Sequence, residues 1–262
     1  MRARRSSFSK DRFRRGIFLL PNLFTAMNMF CGFYAMVAAI EGKFVAAAYA
    51  VIIAGIFDNL DGKIARATHS TSKFGVEFDS LADLVSFGVA PGLLMFLWAL
   101  QPLGRIGWLA GFLFMVCGAL RLARFNTQVG SVSSGHFIGL PIPAGAGMNA
   151  VTVLFCHKFG LAPHAYPLVF LIMIYTLSFL MVSTVKYPSF KNADLFRNKN
   201  FNVLVAAILV LIFIAAQPPI ALFLFGVVYV CSGPVVTLKR QRIARQQAEG
   251  GAQEEEQKPR PL

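Results

Sequence analysis

The chain has 262 residues, 56% of them hydrophobic and 14% charged, a balance with too little polar surface to cover a water-soluble domain of this size. The same apolar content excludes disorder, which belongs to chains too poor in hydrophobic residues to collapse. A net charge of +13 would ordinarily suggest nucleic acid, but the bases must first be placed relative to the apolar runs.

In chain order, apolar runs of roughly the ~20 residues needed to cross a bilayer are predicted at 17–40, 43–60, 80–100, 106–120, 141–157, 164–185, 201–216 and 219–238. The expected architecture is an all-α, polytopic membrane bundle of about eight helices, or seven if the short 106–120 run does not cross. Pro91 within the third run is compatible with a membrane helix whose neighbours satisfy the freed carbonyl. With eight spans and both termini cytoplasmic, the inner loops and termini hold seven bases before residue 17, three in 61–73, two in 121–126, four in 186–199 and six after 238. Only Lys43, Arg105 and Lys158 fall on the other side, the asymmetry expected of a correct topology. The basic surplus therefore records orientation and contact with anionic lipid, and no nucleic-acid partner is expected.

The segment 1–16 is read as a basic cytoplasmic leader to a retained first span rather than a cleaved signal, because the following apolar run is too long. The membrane domain is placed at 17–240, and 241–262 is expected to be a polar, mobile cytoplasmic tail carrying Glu254, Glu255 and Glu256. Cys31, Cys117, Cys156 and Cys231 show no CxxC pairing and read as buried reduced thiols. His69, His136, His157 and His164 lack metal-ligand spacing.

Four of the 12 acids stand out. Asp58 and Asp61, then Asp79 and Asp83, lie at the ends of two consecutive spans that meet at one membrane face, where ionisable groups are costly and are functional candidates by default. Spacings of three and four put each pair on one face of its helix. Carboxylates gathered in this way repel unless a cation joins them, and hard oxygen donors suit Mg²⁺ or Mn²⁺. Gly62, Ala65 and Gly75 leave room for a ligand near the helix backbones, and Arg66 offers a planar fork for phosphate. From spacing alone two other readings stay open: ion pairing with Lys63, Arg66 and Lys73, or a cation pathway in a transporter.

The run from Asp58 to Asp83 fits D-x2-D-G-x2-A-R-x8-G-x3-D-x3-D at all eight fixed positions, Asp58, Asp61, Gly62, Ala65, Arg66, Gly75, Asp79 and Asp83. By this signature the chain resembles the CDP-alcohol phosphatidyltransferases, membrane enzymes that displace CMP from a CDP-linked donor with an alcohol. Asp79-Ser80-Leu81-Ala82-Asp83-Leu84-Val85-Ser86-Phe87-Gly88-Val89-Ala90-Pro91 is similar to the membrane-embedded, serine-accepting branch. So are the segments 121–126, 139–144 and 187–191, together with the opening 20–28.

The resemblance implies transfer from CDP-diacylglycerol to L-serine at the cytoplasmic face of an inner membrane, by a homodimer that uses Mg²⁺ or Mn²⁺. Asp58, Asp61, Asp79 and Asp83 would hold metal, with Asp83 alternatively the general base. Gly62, Ala65, Arg66 and Gly75 would bind the CDP moiety, and Asn22, Thr25 and Asn28, spaced three apart, are expected to line the same pocket or to join helices. Arg121, Arg124, Asn126 and Lys191 are candidates for acceptor or phosphate. Glycerol 3-phosphate, inositol or choline remain alternative acceptors, since few residues need decide the choice.

Overall fold

The computed structural model describes residues 4–68, 70, 72–128, 136–188 and 201–256. The chain is built from helices: α1 (Arg4–Ile40), α2 (Phe44–Ala67), α3 (Lys73–Asp83), α4 (Ala90–Met95), α5 (Arg105–Gln128), α6 (Ile142–Lys158), α7 (Pro167–Val182), α8 (Phe201–Ala216) and α9 (Pro218–Glu256). Among the described residues, five helical segments are long and apolar enough to cross a membrane: Leu20–Ile40, Phe44–Ala67, Lys73–Leu103, Arg105–Thr127 and Pro218–Thr237. Pro167–Val182 is apolar but shorter. Helices occupy the positions of the remaining predicted runs as well.

Two of the boundaries that differ from the hydropathy reading build the site. The second helix continues to Ala67, seven residues past the predicted end at 60, so Asp58 and Asp61 stand on regular helix. The third begins at Lys73 rather than 80 because Ser72, in extended conformation, caps it by accepting from the Gly75 amide at 3.0 Å. Polar first turns thus join an apolar helix, and Asp79 is carried on them. This segment then widens into two π turns, Leu84–Val89 and Phe96–Leu100, on either side of α4. Pro91, which has no amide to donate, sits just after the first of them. At the C-terminal side α9 runs on into 241–256, a stretch rich in the good helix formers Ala, Gln, Glu and Arg.

Among the described residues, the exception to the all-α expectation is a short antiparallel ribbon, β1 (His136–Ile138) with β2 (Lys186–Pro188), in which Phe137 pairs with Tyr187. It is tied to the helices by Gly139 N to Val185 O (2.8 Å) and Leu140 N to Leu180 O (2.9 Å). Tyr187 is fully buried, donates its hydroxyl to Val230 O at 3.2 Å and lies against Gly233 of α9.

Small residues set the packing where hydrocarbon offers no hydrophobic drive. Ala35, Ala38 and Ala39 of α1 and Ala47, Ala48, Ala50 and Ala54 of α2 are buried and let these helices run side by side. Larger side chains fill the rest: Met95 and Trp98 are buried, and Trp98 meets Phe170 of α7 edge-on at 4.8 Å. All four cysteines are free, with Cys117 and Cys156 buried as expected. Cys31 is only partly buried and Cys231 is exposed, because the apolar surface of a membrane helix need not face the protein interior.

Candidate active site

Helices α1, α2 and α3 converge at one end of the bundle. Carboxylate oxygens of Asp58, Asp61 and Asp79, one from each, lie within 4.8 Å of one another. Among the described residues this is the group placed to hold a metal ion, and it contains no histidine or cysteine. Asp83, one turn beyond Asp79, meets Asp58 side chain to side chain. Asp61 and Asp83 are buried, while Asp58 and Asp79 are half-buried.

The first helix orients this cluster. Thr25 donates its hydroxyl to Asp61 Oδ2 at 2.9 Å, and Asn28, one turn on, donates Nδ2 to Asp83 Oδ1 at 3.2 Å. Thr25 and Asn28 therefore hold the carboxylates directly. Asn22 takes a different place on the same face, its Oδ1 lying 3.4 Å from where a Cβ on Gly75 would stand.

Two residues that spacing did not reveal fix Asn28 in turn. Ser86, fully buried in the first π turn, donates to the Asn28 backbone carbonyl at 2.9 Å. This contact exists because Gly32 faces it: a Cβ on Gly32 would stand 2.6 Å from the Ser86 Cα. The partners are 58 residues apart in sequence, and no local pattern announces such a crossing.

The ion-pairing reading of the acids with Lys63, Arg66 and Lys73 is not realised. Among the described residues the ion pair formed is Lys43–Glu41 at 2.7 Å, in the turn between α1 and α2. The Arg66 guanidinium instead lies over Gly62, 3.8 Å from an added Cβ. Asp79 Oδ1 is buried without a hydrogen-bond partner, as expected of an oxygen meant for another ligand. The three carboxylates, gathered within 4.8 Å of one another, thus fit a hard divalent cation in donor type.

The acceptor candidates separate. Arg121 lies within Coulombic range of Asp83 and of Tyr229 of α9, and its Nε is buried without a hydrogen-bond partner. Arg124 Nη1 donates to Val182 O at 3.1 Å, joining α5 to the end of α7, and Asn126 Nδ2 donates to Ser80 Oγ at 2.9 Å, joining α5 to α3. Lys191, like His69, lies outside the described residues.

Comparison with known proteins agrees with this geometry. The profile described as CDP-alcohol phosphatidyltransferase matches residues 18–185. A CDP-diacylglycerol–serine O-phosphatidyltransferase of Helicobacter pylori (strain ATCC 700392 / 26695) is 41% identical over 208 residues, covering 79% of this chain and 87% of the relative. The protein of the same name from Bacillus subtilis (strain 168) is 37% identical over 66% of this chain and 91% of its own length. An archaetidylserine synthase of Methanothermobacter thermautotrophicus is 37% identical over 64% of this chain and 69% of its own.

Proposed function

The chain belongs to the CDP-alcohol phosphatidyltransferase family, and on that premise we propose that it transfers the phosphatidyl group of CDP-diacylglycerol to the hydroxyl of L-serine, giving phosphatidylserine and CMP. The observation that carries the reaction class is the meeting of Asp58, Asp61 and Asp79 with Asp83 beside them. The names of the relatives support serine as acceptor.

In this reaction the serine oxygen forms a bond to the diacylglycerol-side phosphorus, the bond from that phosphorus to the bridging oxygen breaks, and CMP leaves with the bonding pair. An alkyl hydroxyl must lose its proton to attack. Asp83, held by Asn28, takes that proton. Asp58, Asp61 and Asp79 would hold a divalent ion, Mg²⁺ or Mn²⁺, which would supply positive charge to offset the negative charge that builds on the phosphate oxygens. Arg66 and the cleared backbone at Gly62, Ala65 and Gly75 receive the CDP phosphates, with Asn22 beside Gly75. Arg121 addresses the acceptor carboxylate.

A donor with two acyl chains stays in the bilayer while serine and CMP are water-soluble, so a site at the end of the bundle lets them meet. We place that end at the cytoplasmic face of the inner membrane, with eight spans, both termini inside and two copies of the chain assembled. Support comes from the distribution of bases, and from Lys158, at the end of α6, donating to Gln217 in the turn between α8 and α9. That contact brings two of the proposed outer turns together.

The test is CMP release by the purified protein given CDP-diacylglycerol, Mn²⁺ and one acceptor at a time. Serine is expected to support turnover, and turnover with glycerol 3-phosphate, inositol or choline but not serine would overturn the assignment.

A further inference from the structure

Asn28 is fully buried, and its hydrogen bonding is half complete. Its Nδ2 donates to Asp83 Oδ1 at 3.2 Å and its backbone carbonyl accepts from Ser86 Oγ at 2.9 Å, while its side-chain Oδ1 is buried without any partner in the protein. The orientation follows from chemistry. An ionised Asp83, the form a general base needs, only accepts, so the amide nitrogen faces it and the oxygen faces away. Rotating the amide would aim oxygen at oxygen, and the Ser86 bond holds the backbone in place. An unsatisfied buried carbonyl is costly, and a side chain fixed in this state is built for a donor that arrives from outside.

The kind of donor can be read from the spacing. The two terminal atoms of a carboxamide share one carbon, so whatever bonds Oδ1 lies beside whatever bonds Asp83. A molecule with a hydroxyl on one carbon and an ammonium on the next satisfies both. Arg121, within Coulombic range of Asp83 and with a buried unpartnered Nε, adds a cation for a carboxylate on the same molecule.

We infer that Asn28 Oδ1 accepts a hydrogen bond from the α-ammonium group of the acceptor, which makes Asn28 a specificity-determining residue of the acceptor side rather than of the nucleotide pocket. This rests on the proposed serine transfer. The same amide keeps the Asp83 carboxylate turned toward the acceptor hydroxyl, so binding and proton removal are set by one side chain.

The experiment compares L-serine with 3-hydroxypropionate, which keeps hydroxyl and carboxylate but lacks the ammonium, in the full-length protein in lipid nanodiscs with CDP-diacylglycerol and Mn²⁺. Wild type is expected to prefer serine in kcat/KM by at least ~10-fold, the order of penalty expected when a buried acceptor is left unpaired. Asn28→Ala is expected to raise the KM for serine ~10- to 100-fold, leave the KM for CDP-diacylglycerol within about twofold, and shrink the preference over 3-hydroxypropionate. A raised KM for CDP-diacylglycerol with that for serine unchanged would return Asn28 to the nucleotide pocket and overturn the inference. Equal use of the two acceptors by wild type would overturn it as well, even if Asn28→Ala failed to fold. A wild type that releases CMP with another alcohol but not with serine removes the premise and the inference together, and is recognised without any variant.

Discussion

Gly32→Ala is the perturbation whose effect can be followed furthest through the structure. The new methyl would stand 2.4 Å from Ser86 Oγ and 2.6 Å from Ser86 Cα, whereas ordinary contact begins at 3.4 Å. The first π turn must therefore retreat from α1 by about 1 Å, since one of the clashing atoms is backbone and cannot swing aside. That retreat stretches the 2.9 Å bond from Ser86 to the Asn28 carbonyl and the 3.2 Å bond from Asn28 to Asp83 beyond useful range. Bonds between membrane helices average about 0.6 kcal/mol and reach about 1.7, so losing two costs roughly 1–3 kcal/mol of stability. The larger effect falls on the rate. A misplacement of ~1 Å at a catalytic group can cost ~100-fold, equivalent to about 2.7 kcal/mol of barrier. CMP release at saturating CDP-diacylglycerol and serine measures kcat, and thermal unfolding in the same detergent measures stability. Gly147→Ala on α6, where an added methyl meets nothing within 4 Å, is the matched control and should be silent in both. A Gly32→Ala protein with kcat within about twofold of wild type would refute the chain of contacts from Gly32 through Ser86 and Asn28 to Asp83.

Asp79→Asn removes a charge from the three-carboxylate group and is expected to lower CMP release by at least ~1000-fold with unfolding temperature preserved; unchanged turnover would refute the metal site. Chelation with EDTA is expected to abolish activity, and excess Mg²⁺ or Mn²⁺ to restore it, so activity that survives exhaustive chelation would count against a divalent ion. Gly233→Ala would place a methyl 2.4 Å from the Tyr187 ring, and overpacking of this kind costs about 1–3 kcal/mol; an undiminished unfolding temperature would show that Tyr187 does not fasten the ribbon to α9. Burial, with Tyr229 nearby, pushes the Tyr187 hydroxyl up to about 12. A raised phenol favours the protonated folded state, so its contribution is fully present below the unfolded value of about 10 and is lost as pH rises through 12. Ultraviolet titration of tyrosinate in wild type against Tyr187→Phe checks this, and a Tyr187 that ionises near 10 would contradict it.

What could be read from the sequence was whatever depends on spacing along one continuous helix. Asp58 and Asp61, then Asp79 and Asp83, fall on shared faces by counting residues, and Thr25 and Asn28 fall on one face of α1 in the same way. What those two residues do there was not legible, because a face does not say which partner it meets. Spacing allowed Asn28 a place in a nucleotide pocket, whereas its amide is bonded to Asp83. Hydropathy placed the third span near 80 because it registers apolar residues and not the Ser72 cap that starts the helix at Lys73. Arg124 and Asn126 lay in a segment suggestive of acceptor binding, yet their partners are the Val182 carbonyl and the Ser80 hydroxyl, which only the packing of α5 brings near. The contacts of Ser86 with α1 and of Gly233 with Tyr187 likewise join positions that no local periodicity connects.

The two π turns flanking α4 also act as phase shifters. Each wide turn takes in about one more residue than an α turn, and one residue is worth ~100° of rotation. The first of them lies between the carboxylates and Trp98, and swings the face that carries Trp98 by roughly a quarter turn relative to the carboxylates. One rod can thus aim Asp79 and Asp83 at α1 and α2 while it turns Trp98 toward α7. Chemistry and packing are separated by angle instead of being divided between helices. A chain that lost one wide turn would keep nearly the same hydropathy profile and the same acidic signature, yet its carboxylates and its packing stripe would no longer both face their partners.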